Sequence, residues 1–243
     1  MKKLEERVKN YWTNRVKDFA DIRINELKDQ ISDRWVKKIE EYIPKNNSLD
    51  ILDIGTGVGY FAILLENQGH ILTGIDLTPA MIEKANTLAR ERNSKNTYLV
   101  MDAQQLFFDD NSFDVIVTRN LTWTLPDVEL AYKEWYRVLR KEGMLLNFDA
   151  CYGKNIKNER KNKDIPLKNC VYGDVGITPE LEKENADITN AMMINKQNRP
   201  EWDIDILKKC GFKKCGREPY VGKEILKEMD KKYAPMFLVW AQK

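Results

Sequence analysis

The chain has 243 residues, 42% hydrophobic and 32% charged, and its 40 basic against 38 acidic side chains leave a formal net charge of +2. That length suits one α/β domain with an elaboration, and the composition is that of a globular protein able to bury a core. The near-neutral charge gives no global footprint for nucleic acid or anionic lipid. No apolar run reaches the roughly 18 residues of a membrane span, and the charged start Met-Lys-Lys-Leu-Glu-Glu-Arg lacks the apolar segment of a secretory signal. A cytoplasmic protein without a membrane partner is expected, a monomer or homodimer.

Residues 1–43 read as helical throughout, with Val8, Tyr11, Trp12, Val16 and Phe19 at helical spacing and a second run through Ile24, Leu27, Ile31, Trp35 and Ile39. Pro44 and the Asn46-Asn47-Ser48 stretch break the pattern. Strand and helix then alternate. Ile51 to Ile54 is a first strand, and a short helix with Phe61, Leu64 and Leu65 on one face follows and stops at Gly69. Ile71 to Asp76 is a second strand, and Thr78 caps a helix with Pro79 at its first position and Ile82, Ala85 and Ala89 on its buried face. Tyr98 to Met101 and Phe113 to Thr118 are the third and fourth strands. Val128, Tyr132, Trp135 and Leu139 mark a helical stripe, Arg140 and Lys141 suit its negative pole, and Gly143 turns the chain into a fifth strand, Met144 to Phe148.

The pattern lapses from Cys151 to about Pro200, a polar stretch with a basic run at Lys154, Lys157, Arg160, Lys161 and Lys163. Trp202 to Cys210 resumes as a helix stopped by Gly211, and Phe212 to Arg217 and Met236 to Ala241 are the last two strands. Strict alternation implies parallel pairing through right-handed crossovers, hence a doubly wound Rossmann-like sheet with ligands at the carboxyl ends of its strands. A connection of about fifty residues at that end is far longer than usual and marks a functional cap. Two units are therefore expected: an N-terminal helical lid over 1–45, and a main domain over 46–243 with the cap inserted at about 151–200.

Cys151, Cys170, Cys210 and Cys215 form no Cys-x-x-Cys pair, and the single His70 completes no zinc site, so no metal is expected.

The segment Leu52-Asp53-Ile54-Gly55-Thr56-Gly57-Val58-Gly59 is a strand that runs into three glycines spaced two apart. A dinucleotide fingerprint would place its third glycine at position 60, which is Tyr60. Asp76 follows 21 residues after Gly55, at the depth where a carboxylate accepts hydrogen bonds from ribose hydroxyls. Asp102 follows the third strand, and the fourth ends in Thr118-Arg119-Asn120. This ordered set closely resembles the class I S-adenosylmethionine-dependent methyltransferases of the type 11 kind, over about residues 48–150.

The resemblance implies a seven-stranded sheet in the order 3-2-1-4-5-7-6 with the last strand antiparallel. It implies S-adenosyl-L-methionine as cofactor and S-adenosyl-L-homocysteine as product. It also implies a cofactor site built from Tyr11, Asp53, Gly55, Thr56, Gly57, Gly59, Asp76, Leu77, Asp102, Ala103 and Asn120. In that family Asp53 holds the acidic position, Asp102 and the Ala103 amide meet adenine, and the end of the fourth strand holds the methionine portion.

No general base stands out. His70 sits between a helix stop and the second strand, away from the ligand end, and reads as structural. On the substrate side the candidates are Trp12, Arg119, Trp123 and Asp149. Tyr11 and Trp12 serve either a lid or ordinary core packing, and Asp149 either meets an acceptor or caps a loop. Trp123 falls where the family places acceptor contacts. Arg119 either holds an anionic acceptor group or makes a surface ion pair. The leading expectation is transfer of a methyl group to a small molecule by in-line displacement. RNA or protein methylation is the alternative that the basic run suggests, although no Asn-Pro-Pro-Tyr or Asp-Pro-Pro-Tyr follows the fourth strand. A noncatalytic scaffold and aminopropyl transfer are more distant readings.

Overall fold

A computed structural model describes residues 2–45, 48–152, 176–230 and 234–243. Its centre is a seven-stranded sheet in the order β3-β2-β1-β4-β5-β7-β6, formed by β1 (Asp50–Ile54), β2 (Ile71–Asp76), β3 (Thr97–Val100), β4 (Phe113–Arg119), β5 (Leu139–Ala150), β6 (Lys214–Glu218) and β7 (Met236–Gln242). β1 to β5 pair in parallel, and β7 runs antiparallel to both β5 and β6. Order and direction are those the family resemblance implies.

The period of two along each strand divides the core into two layers. Ile51, Val115, Val117, Leu146, Phe148 and Leu238 face one side, with Ile31, Trp35 and Ile39 of α2 (Ile31–Glu40), Phe61 and Leu65 of α3 (Tyr60–Glu66), and Ile82, Ala85 and Ala89 of α4 (Pro79–Glu91). Leu52, Ile54, Ile116, Leu145, Phe237 and Val239 face the other, with Tyr132 and Trp135 of α5 (Val128–Val138) and Ile206 and Leu207 of the helix Glu201–Cys210. The same parity puts Asn147 and Asp149, both fully buried, on the α5 side of β5.

The N-terminal helical run is interrupted. α1 (Lys2–Glu26) ends in a turn in which the Asp29 carboxylate accepts from the Ile31 amide at 2.9 Å, and α2 starts afresh. The two helices have different neighbours. α2 packs Trp35 edge-on against Phe61 and Phe148, with ring centroids 4.9 and 5.0 Å apart, so it belongs to the core of the main domain. α1 crosses the carboxyl ends of the strands. Its Phe19 stands against Gly57 after β1, and its Glu26 pairs with Arg119 at the end of β4.

The fifth strand begins at Leu139, directly after α5, rather than at Met144. Leu139, read from the sequence as the last position of the helical stripe, is the first strand residue and pairs with Phe113 across a bulge. Gly143 is required by a close approach rather than by a turn, because a Cβ there would lie 2.8 Å from the Arg140 carbonyl and 2.9 Å from that of Asp114.

Part of the supposed irregular cap is a helix, α6 (Pro179–Ala191). Thr178 accepts from the Leu181 amide at 3.3 Å, Pro179 occupies the first turn, and Glu180 and Glu182 suit its positive pole. α7 (Glu201–Cys210) ends at Gly211 (φ +107°), and a short α8 (Val221–Ile225) precedes β7. The basic run from Lys154 to Lys163 and Cys170 lie outside the described residues.

Candidate cofactor and acceptor site

The turn after β1 is stitched to its neighbour strand. Gly55 and Thr56 amides both donate to the Ile75 carbonyl, at 2.8 and 2.9 Å, and the Gly57 amide donates to Asp76 Oδ2 at 3.0 Å. Gly55, Gly57 and Gly59 all adopt positive φ (+71°, +55° and +86°). Gly57 has a second reason to lack a side chain, since a Cβ there would meet Phe19 Cε1 at 2.9 Å. The sequence pattern thus corresponds to a left-handed backbone turn covered by α1.

Asp53 is 2% exposed and accepts from Thr56 Oγ1 at 2.6 Å. Burial pushes its carboxyl up to about 7, against the lowering effect of Thr56 and the Ala62 amide, and the charge of Asp76 adds to the rise. Asp76 is also raised by burial, while the amides of Thr78 and Gly57 stabilise its ionised form. Its Oδ1 takes the Thr78 amide at 2.8 Å, so the start of α4 is satisfied by Asp76, and Thr78 makes no side-chain cap bond. Leu77 links Asp76 to that helix. At the end of β3, half-buried Asp102 accepts from the Gln104 amide at 2.8 Å, and the Ala103 carbonyl accepts from Trp135 Nε1 at 2.9 Å.

The end of β4 supplies the facing wall. Asn120 adopts φ +55°, and its amide donates to the Phe148 carbonyl at 2.7 Å. Its Oδ1 accepts from the Tyr152 hydroxyl at 3.1 Å, while its buried Nδ2 has no partner. Trp123, in a 3-10 turn spanning Thr122–Thr124, donates from Nε1 to the Asn120 carbonyl at 2.8 Å and packs against Tyr152 with centroids 5.0 Å apart. Tyr152 escaped the sequence reading because it begins the segment where the hydrophobic pattern lapses.

Arg119 and Asp149 are engaged elsewhere. Arg119 donates to both Glu26 oxygens at 3.0 and 3.2 Å, and its guanidinium lies 4.4 Å over the Trp35 ring. Burial pushes Glu26 up, but Arg119 and Arg23 outweigh it and hold the carboxyl below its usual range. Asp149 sits in a fully buried cluster. Its Oδ2 accepts from Arg199 Nη1 and the Trp123 amide, both at 3.0 Å, and from the Thr122 hydroxyl. Arg199 also donates from Nε to Asp203 Oδ2 at 2.9 Å, and Tyr132 donates to Asp203 Oδ1 at 2.5 Å. Burial raises the Asp149 carboxyl even beside Arg199. The geometry gives Asp149 the work of anchoring the Trp123 turn to the cap and α7.

Tyr11 is 4% exposed and shares a buried cluster with Met101, Ala103 and Leu106. Trp12 meets Tyr11 and Phe19 edge-on, with centroids 5.3 and 5.4 Å apart. His70 accepts from the Leu49 amide at 3.3 Å through Nδ1, at the opposite end of the sheet. Among the described residues no cluster of metal-ligating side chains occurs, and no helix is long and apolar enough to cross a membrane.

These residues suit a nucleoside with an amino-acid tail: a left-handed glycine turn, carboxylates at the ends of β2 and β3, and a buried amide donor on Asn120 without a partner. Sheet order and antiparallel final strand are those of the Rossmann-like class I methyltransferase fold. Residues 52–147 match the family model described as a methyltransferase domain. It is 35% identical over 100 residues to an uncharacterized methyltransferase of Bacillus subtilis, covering 41% of this chain and 40% of that protein. It is 29% identical over 201 residues to phosphoethanolamine N-methyltransferase 2 of Caenorhabditis elegans, covering 80% of this chain and 44% of that one. The chain therefore spans less than half the length of these curated relatives. Among solved structures, a putative S-adenosyl-L-methionine-dependent methyltransferase from Methanococcus maripaludis superposes with a TM-score of 0.63 at 19% identity, over 95% of this chain and 93% of that one. The Haemonchus contortus phosphoethanolamine N-methyltransferase 2 complex with S-adenosyl-L-methionine superposes with a TM-score of 0.63 at 20% identity, over 84% and 51%.

Proposed function

We propose that this protein transfers a methyl group from S-adenosylmethionine to a small-molecule acceptor. The observation that carries the reading is the Gly57 turn held between Asp53 and Asp76, with Asp102 at the next strand end. When bound, the cofactor supplies a methyl group already activated on a positively charged sulfur. The chain then has to hold, orient and dry the reactants, and orientation of this kind contributes roughly 7 to 11 kcal/mol in favourable cases.

In this reading Asp76 and Asp102 grip ribose and adenine, Asp53 faces the cationic end, and Asn120 Nδ2 donates to the tail or the acceptor. Trp123 and Tyr152 form the acceptor wall, which the Asp149–Arg199 ion pair keeps in place. α1 serves as the lid, with Tyr11 and Trp12 on its inner side, and α6 belongs to the cap. Support for a small acceptor comes from the relatives' names, which include phosphoethanolamine and ubiquinone-biosynthesis methyltransferases. The free thiols of Cys210 and Cys215 support a cytoplasmic setting.

Calorimetry with S-adenosylmethionine and S-adenosylhomocysteine tests the cofactor assignment. Incubation with a panel of small phosphoamines, phenols and quinols, monitored for S-adenosylhomocysteine, tests the acceptor class. Absence of binding to either nucleoside would remove the proposal. Turnover on RNA or protein alone would remove its small-molecule half.

A further inference from the structure

Arg15 lies in the middle of α1 and is 4% exposed. Guanidinium groups are almost never buried to this degree without a carboxylate, because the lost hydration has to be replaced. Yet among the described residues its hydrogen bond runs from Nη1 to the neutral hydroxyl of Tyr11, at 3.0 Å. Its buried Nε has no partner, and no described carboxylate pairs with it, Asp18 on the following turn included. Arg23 and Arg119, also turned toward the sheet, both pair with Glu26. Among the described residues Arg15 is therefore a buried cation without a carboxylate partner.

Its place on the helix says where that anion lies. Tyr11, Arg15 and Phe19 are spaced four apart and share one face. Phe19 covers Gly57 in the turn after β1, so Arg15 stands one helical turn, roughly 6 Å, along the same face from that contact. Trp12 bridges Tyr11 and Phe19 edge-on beside it. The glycine turn itself offers carboxylates, Asp53 and Asp76, which suit the cationic parts of an amino-acid tail and repel its carboxylate.

We propose that Arg15, with the Tyr11 hydroxyl, is the receptor for the carboxylate of the cofactor's amino-acid tail, so that α1 closes on the cofactor by an ion pair as well as by packing. The inference rests on the cofactor assignment above. An acidic group on the acceptor is the other source of the same chemistry, and the experiment separates the two.

The test is calorimetric titration of wild type, Arg15→Met and Arg15→Lys with S-adenosylhomocysteine and with its decarboxylated analogue, which keeps the amine. A charge-assisted hydrogen bond of this kind corresponds to about tenfold to a hundredfold in affinity. Wild type should prefer the carboxylate form by about that factor. Arg15→Met should lose the preference while binding the analogue within about twofold of wild type, with Arg15→Lys between them. If Arg15→Met does not fold by circular dichroism, the ratio of the two affinities in Arg15→Lys decides, and a ratio equal to that of wild type overturns the proposal. Equal weakening toward both ligands, or unchanged affinity for S-adenosylhomocysteine, also overturns it, the second result being what an acceptor-bound anion would give. Failure of wild type to bind either nucleoside would instead overturn the functional assignment.

Discussion

The Asp76 carboxylate accepts the Gly57 amide at 3.0 Å, which ties the end of β2 to the turn after β1. One side chain thus shapes the backbone cradle and, in the proposed function, also grips the ribose. Replacing Asp76 with Ala releases two backbone amides, those of Gly57 and Thr78. We expect at least about a tenfold loss of affinity for S-adenosylhomocysteine by calorimetry, together with a stability loss of about 1–3 kcal/mol in urea denaturation. Unchanged affinity would remove Asp76 from the cofactor site.

Gly57→Ala tests the cradle itself. The new methyl group would sit at φ +55° and 2.9 Å from Phe19 Cε1. A cost of roughly 1–2 kcal/mol from the left-handed backbone alone is expected, with nucleoside affinity falling along with it. Full affinity at wild-type melting temperature would contradict the turn geometry.

Asp53 carries a pH signature. Its carboxyl rises from 3.8 to about 7 on folding, so the folded state holds a proton that the unfolded chain releases. This group therefore costs nothing below about pH 4, and its contribution to stability falls as pH rises to about 7 and is flat above. At 1.36 kcal/mol per unit the loss approaches roughly 4 kcal/mol. Asp53→Asn cannot ionise, so the stability of wild type relative to it should decline across that window. A difference independent of pH would refute the assignment. If the cationic end of the cofactor meets Asp53, binding near pH 6.5 should also release a proton, measurable as a dependence of the calorimetric enthalpy on buffer.

Arg199 lies between two buried carboxylates, Asp149 and Asp203. Arg199→Met leaves both without their cation, and a loss of about 3–5 kcal/mol is expected. Asp149→Asn keeps Arg199 paired with Asp203 and should cost less, about 1–3 kcal/mol. Chemical denaturation of the two variants gives the order. The reverse order would mean that Arg199 is not the centre of the cluster.

Trp123→Phe removes the bond to the Asn120 carbonyl and part of the contact with Tyr152 while leaving the glycine turn untouched. With any acceptor that supports turnover, kcat/KM should fall at least about tenfold while the Kd for S-adenosylhomocysteine stays within about twofold. Parallel losses in both would place Trp123 in the cofactor site instead.

The seven strands, the positions of α3, α4, α5 and α7, and the glycine turn were all readable in the chain, because each is written in neighbouring residues. Alternation along Ile51 to Ile54 marks a strand, and three alternate glycines mark a backbone without side-chain limits on φ. Even α6 carries such a local signal, the Thr178-Pro179 start that also opens α4 at Thr78-Pro79, although the stretch around it is polar and masks the helical period. Local signals of this kind do not say what lies opposite. Asp149 and Arg119 have the composition of substrate contacts, yet they meet Arg199, 50 residues away, and Glu26, 93 residues away. Arg15 looks like any basic residue of an amphipathic helix until the sheet, the glycine turn and α1 come together and remove it from water without a carboxylate among the described residues to pair with it. Burial and pairing are properties of the assembled chain, since desolvation and Coulomb energy depend on which groups are brought near in space.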